Sequence, residues 1–279
     1  MMVGLMALFL GIGFLIGGRA GMMIAFVIAA GMNLFSYWYS DKLVLKMYRG
    51  REVKAADHPR LYRIVSRVAT LAMMPMPRVY IIPSRAPNAF ATGRNRDNAA
   101  VAVSEGLLEL LSEDEIEGVI GHEIAHIEHN DILIGAIVAT FAGAIGVLAS
   151  IARWGAIFGG VGSSSNNDRG GGLVTMLIVA IVSPIVAMLI QAAISRQREF
   201  KADAEGGRIT GKYLSLASAL DKLHRAPIRF NLDKRPATAH LMIAQPLSGK
   251  GLSSLFSTHP PAAERIERLR RLAQQAPYG

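Results

Sequence analysis

Cysteine is absent from all 279 residues, which excludes disulfides, thiolate metal sites and a cysteine nucleophile. That fits a reducing compartment. Charge is scarce as well. Only 18% of residues are Asp, Glu, Lys or Arg, against about a quarter in soluble domains, while 51% are hydrophobic. Acidic residues are outnumbered 21 to 30, giving a formal charge of +9. An excess of that size suits either a nucleic-acid surface or basic flanks facing anionic lipid, and position decides between them.

Four long stretches lack charge altogether: residues 1–18, 20–40, 132–152 and 173–195. Each is near the roughly 20 residues that a helix needs to cross about 30 Å of hydrocarbon. One such run could be a buried core helix; four in one short chain point to a bilayer. The first run could also be a cleaved signal peptide. It lacks a basic leading region and a second run follows after a very short turn, so an uncleaved hairpin is expected. Lys42, Lys46, Arg49, Arg51 and Lys54 follow the second run, and Arg196, Arg198, Lys201 and Arg208 follow the fourth. The first turn offers only Arg19, and the third loop only Arg153 and Arg169. By the positive-inside rule both basic regions and both termini are cytoplasmic. The excess charge therefore sits beside membrane ends, and no aromatic-basic patch for nucleic acid stands out. The Gly, Ser and Asn of residues 159–172 read as a flexible linker between two spans.

The polar segments carry ordinary folding signals. Leu61, Ile64, Val65, Val68 and Leu71 line one face of a helix over 57–72, which Pro75 and Pro77 end. Residues 78–82 form a β-branched run. Residues 88–92 and 99–103 flank a polar turn and read as a β-hairpin. Ser112 with Glu115 makes a capping box, so a helix starts ten residues before His122. Helices are also expected over 212–224 and 262–275, the latter entered through Pro260 and Pro261.

Inside the capped helix lies His122-Glu123-Ile124-Ala125-His126. Residues four apart share a helix face about 6 Å apart along the axis, so two imidazoles can converge on one ion. Glu123 is placed beside that ion to take a proton from water activated by it. A bare match of this kind also arises among surface polar residues; the cap and the small neighbours Gly121 and Ala125 favour a site. Two histidines need a third protein ligand and must leave one position open. His129 returns to the same face but about 10 Å farther along, and is expected to be a solvated surface residue. Glu128 and Asp131 read as helix-end polar groups. Arg198-Glu199-Phe200-Lys201-Ala202-Asp203 offers a better candidate. Glu199 and Asp203 share a face, so Glu199 can complete a His2Glu set while Asp203 accepts the outer N–H of a ligand histidine. The alternative is an amphipathic helix with its charges in water. A His2Glu set accepts zinc, cobalt or manganese.

At these residues the chain resembles the HtpX group of bacterial membrane metalloproteases, related to the integral-membrane prenyl-protein proteases. The matching stretches are Pro87-Asn88-Ala89-Phe90-Ala91-Thr92-Gly93, the run from Gly121 to His126, Arg198 to Asp203, and Thr258-His259-Pro260-Pro261. The resemblance covers nearly the whole chain. It implies a membrane α-helical protein with four transmembrane helices and an α+β zincin-like catalytic domain, whose small β-sheet and active-site helix lie on the cytoplasmic side. The expected organisation is a transmembrane hairpin over 1–40, a catalytic part over 41–131, a second transmembrane hairpin over 132–195 and a helical catalytic part over 196–279. One zinc ion held by His122, His126 and Glu199, with Glu123 as general base, is implied. So is cytoplasmic-side proteolysis of misfolded or damaged membrane proteins at the bacterial inner membrane. His259 is a further oxyanion donor on this resemblance, or simply a residue ahead of Pro260. Asn88, Ala89, Phe90 and Ala91 form either an edge strand that pairs with extended substrate or a structural hairpin without a ligand. Relatives carry a few polar and basic residues before the first span, so a truncated start is expected here.

Two other classes fit worse. A silent membrane scaffold has no need of Glu123 between the histidines. A metal-ion transporter should place ionisable residues within its spans, and these four have none.

Overall fold

The computed structural model describes residues 2–131, 196–226 and 260–276. The third and fourth uncharged stretches, the Gly/Ser linker and His259 lie outside the described residues. The first two stretches fall in α1 (Met2–Met47). Gly18 within it takes φ +56°, a left-handed conformation that a regular helix does not contain and that glycine adopts without a Cβ penalty. It sits where the sequence puts the turn between two runs. Among the described residues no helix is long and apolar enough to cross a membrane.

Beyond α1 come β1 (Arg51–Glu52), α2 (Pro59–Leu71), β2 (Arg78–Ile82), β3 (Ala89–Gly93), β4 (Ala99–Ser104), α3 (Glu105–Leu110) and α4 (Glu113–Glu128). Then follow α5 (Arg196–Thr210), α6 (Tyr213–Arg225) and α7 (Ala262–Gln275). The strands form one mixed sheet in the order β1-β2-β4-β3, with β2 and β4 parallel and the other pairs antiparallel. The hairpin of β3 and β4 is as read from the sequence, with β3 one residue later and β4 one residue longer. The two-residue β1 was not legible, being too short to show an alternation.

Strand alternation gives the sheet two buried faces. Val79, Ile81, Ala89, Ala91, Val101 and Val103 point into the main core with α2, α4 and α6. Tyr80, Ile82, Phe90, Ala100 and Ala102 pack on Val44 and Leu45 at the end of α1. β3 lies at the sheet edge.

The capping box at Ser112 and Glu115 fixes the start of α4. Glu115 also accepts from Ser218 Oγ (2.7 Å) and Lys222 Nζ (2.8 Å), which ties that helix start to α6. Its burial opposes the charge, but Lys222, the Ser112 amide and Ser218 together hold the carboxyl below its ordinary range. α4 meets α5 at backbone distance. A Cβ on Gly206 would stand 2.5 Å from the His122 nitrogen, and one on Gly121 would stand 2.8 Å from the Gly206 carbonyl oxygen. Only glycine fits at this crossing, and it lies directly beneath the first histidine.

Candidate metal centre

His122, Glu123 and His126 come from α4, and Glu199 and Asp203 from α5. The chain leaves the described residues after Asp131 and re-enters at Arg196, so the two halves of the cluster meet only in the fold. The helical spacing does what the pattern requires. The Nε2 atoms of His122 and His126 face one another at 3.2 Å. Glu199 Oε1 lies 3.4 Å from His126 Nε2, and Oε2 lies 3.7 Å from His122 Nε2. Two donors each about 2.0–2.1 Å from a tetrahedral ion stand roughly 3.3 Å apart, so these three side chains converge at the separations one such ion needs. His122, His126 and Glu199 can therefore hold a metal ion.

The outer nitrogens are engaged as ligand histidines require. His122 Nδ1 donates to Asp203 Oδ1 at 3.0 Å, and His126 Nδ1 donates to Asp131 Oδ2 at 3.1 Å. Each bond fixes the tautomer that leaves Nε2 as the donor to an ion. Asp203 is where the sequence put it. Asp131 is a correction: it is no mere helix-end group but orients His126 and pairs with Arg198 at 3.5 Å. Glu128 remains at the helix end and pairs with Arg96. His129 caps α4, half-buried rather than solvated, and is not one of the clustered donors.

Glu123 is buried, and its Oε2 accepts the Ala91 N–H of β3 at 2.8 Å. Burial is the largest influence on its carboxyl and pushes it up to about 7; His126 and the Ala91 amide only partly offset this. For His126, burial opposes the charged form, but Asp131 and Glu199 outweigh it and lift the imidazole to about 10. His122 moves the other way because burial prevails over Asp203. A cation at the three donors would add positive charge beside all these groups and draw Glu123 and His126 down.

Sequence reading missed Arg265. It enters from α7, is 2% exposed, and clamps Asp203 with Nε to Oδ2 and Nη2 to Oδ1, both 2.7 Å. Its Nη1 also reaches Glu199 Oε2 at 3.2 Å. Burial alone would raise the Asp203 carboxyl, but Arg265 and His122 hold it below the ordinary range. A fork of fixed geometry suits this bidentate hold better than a lysine would. The signal was present: Arg265 and Leu269, four apart, are the buried positions of α7. The Arg268 guanidinium lies over the Phe200 ring at 3.8 Å and adds a second tie between α7 and α5.

Asn88, Ala89, Phe90 and Ala91 are all buried along or just before β3. Asn88 exchanges bonds with Ser104, its amide to Ser104 Oγ and its carbonyl from the Ser104 amide. Ladder bonds to β4 then recur at every second residue, so the amides and carbonyls of Ala89 and Ala91 point off the sheet edge. The engagement of the Ala91 N–H by Glu123 agrees with this. Phe90 turns its ring onto Tyr48, on the opposite face.

Residues 55–273 match the model of peptidase family M48. A protein named Protease HtpX homolog from Desulfatibacillum aliphaticivorans is 56% identical over 269 residues, covering 96% of this chain and 86% of that one. Another of the same name, from Syntrophobacter fumaroxidans, is 53% identical over 276 residues, covering 98% and 97%. The crystal structure of S. mikatae Ste24p superposes with a TM-score of 0.57 at 19% identity, over 94% of this chain and 61% of that one, a likeness of fold. The chain belongs to peptidase family M48, among the HtpX proteases, and is a metalloprotease.

Proposed function

We propose that this protein is a zinc endopeptidase embedded in the bacterial inner membrane, cleaving misfolded or damaged membrane proteins on the cytoplasmic side. The observation that carries the reading is the spacing of the three donors, together with the tie of each histidine's outer nitrogen to a carboxylate. His122, His126 and Glu199 hold one zinc ion, which supplies a Lewis acid for activating water and polarising the scissile carbonyl. Glu123 takes a proton from the attacking water and returns it to the departing amine. A carboxyl buried beside the three donors is placed to do both. Asp203 and Asp131 keep the imidazoles in register, and Arg265 keeps Asp203 in place. His259 is a further donor to the developing oxyanion.

Extended substrate pairs with the edge of β3 through the main chain of Ala89 and the carbonyl of Ala91, whose N–H is held by Glu123. Asn88 and Phe90 hold that edge against β4 and α1. Reading main chain rather than side chains accounts for broad specificity. The stretches 1–18, 20–40, 132–152 and 173–195 are the four spans, and 41–131 and 196–279 form the catalytic parts. The apolar side chains that α1 exposes, among them Ile24, Val27, Leu34 and Phe35, support this.

Metal analysis of the purified protein, paired with cleavage of a disordered protein, tests the chemistry. Chelation should abolish cleavage, and about one equivalent of zinc per chain should restore it. Undiminished cleavage by metal-free protein would overturn the reading. Orientation is tested separately by single cysteines in this cysteine-free chain. An impermeant thiol reagent applied to intact cells should label a cysteine at Ser164 and spare one at Ser112 or Ser248. Labelling of either of the latter two from outside would reverse the proposed topology.

A further inference from the structure

The loop between α2 and β2 reads Ala72-Met73-Met74-Pro75-Met76-Pro77, without a charge. Surface connections are ordinarily polar, so an apolar one needs a reason. Met73 is 89% exposed, Leu71 before it is 47% exposed, and Pro75 is exposed too. The exposure is built in. Met73 takes φ +49°, a left-handed conformation rare for a residue of its bulk. Its amide donates to Thr70 O and that of Met74 to Ala69 O, both at 3.0 Å. Met74 is buried and anchors the loop, while Met73 is held outward.

Contacts show which side of the domain this loop occupies. Arg96, in the turn between β3 and β4, donates to the Met73 carbonyl at 3.3 Å and to Glu128 Oε1 at 3.2 Å. Glu128 ends α4, just before the uncharged stretch that begins at Ile132. Arg94, in the same turn, lies over the Trp38 ring at 4.5 Å, at the end of the second uncharged stretch. Arg78, which follows the apolar loop, pairs with Asp41 at 2.7 Å. Arg198, just past the fourth stretch, pairs with Asp131. The points where the chain passes into and out of its uncharged stretches thus gather on one side, and the rim made by Leu71, Met73, Arg94 and Arg96 lies there. Exposed Trp38 and Tyr39 occupy the same level. Aromatic rings, an apolar tip and arginines in one layer match the membrane–water interface, where arginine meets anionic headgroups.

We propose that this rim docks the catalytic domain on the surface of its own bilayer, Met73 entering the acyl region and Arg94 and Arg96 facing anionic phospholipid. The docking rests on the membrane reading above, and would hold the β3 edge at a fixed height over the bilayer. The test uses the full chain in liposomes, with one nitroxide-labelled cysteine at a time at Met73, Val27 or Glu109. Val27 is an exposed apolar position of α1. Glu109 is exposed on α3, which follows the far end of β4. Oxygen should relax the labels at Met73 and Val27 several-fold more than aqueous nickel does, and the reverse should hold at Glu109. The Met73 label should sit deeper when phosphatidylglycerol is added to phosphatidylcholine, and Arg96→Glu should remove that dependence. A Met73 label in water beside a Val27 label in lipid overturns the docking alone; both in water overturns the membrane reading. A Met73 label shielded from both reagents means that protein, such as a second copy, covers the rim, which also overturns the proposal.

Discussion

Glu123→Gln is expected to keep its metal and its fold while turnover falls about 10²–10⁴-fold, the usual worth of a positioned acid–base group. The amide has the shape of the carboxylate, and its carbonyl oxygen can still accept the Ala91 N–H that Glu123 Oε2 accepts now. What is lost is the capacity to take up a proton. The comparison is of kcat at equal metal content, with thermal stability recorded for both proteins. Turnover near that of the parent would exclude Glu123 as the base.

Glu199→Ala should act on the metal itself. It deletes the sole carboxylate among the clustered donors, leaving two imidazoles that do not hold an ion in a closed site. Metal content and cleavage should fall together, and excess zinc should restore cleavage only in part. Retention of full metal and full activity would move the third ligand elsewhere. Asp203→Ala looks milder from the sequence, with affinity down about 10–100-fold as for other partners of ligand histidines. The structure changes that expectation. Removing Asp203 also strips buried Arg265 of its bidentate partner and leaves it only Glu199 at 3.2 Å, so stability should fall together with affinity. Asp203→Asn keeps the shape and one acceptor oxygen but not the charge, and the fall in melting temperature of each variant from the parent reports what Arg265 loses.

Much of this site was legible because its signals are local. The cap at Ser112, the spacing of His122 and His126, and that of Glu199 and Asp203 each lie within one helix, where a period of 3.6 residues turns sequence distance into geometry. β2 was legible as a β-branched run, and β3 with β4 as a hairpin around a polar turn. Arg265 and Asp131 escaped because their partners lie on other elements or past a helix end, and an arginine among charged neighbours or an aspartate just past a helix reads as solvated. The parallel pairing of β2 with β4 escaped too, since strand order across a crossover leaves no periodic trace. Nor does a sequence announce that Gly121 and Gly206 touch; each is merely a glycine in a helix until α4 meets α5.

Arg265 has a consequence for timing. Of the residues that meet around the metal donors it is the last to be synthesised, long after His122 and His126. Until α7 docks, Asp203 lacks its clamp and His122 is oriented by an unsupported carboxylate. A growing chain thus carries the ligands of a protease without its finished geometry. Among the described elements α7 is the one that completes this geometry, a delay that suits an enzyme whose proposed substrates are misfolded proteins.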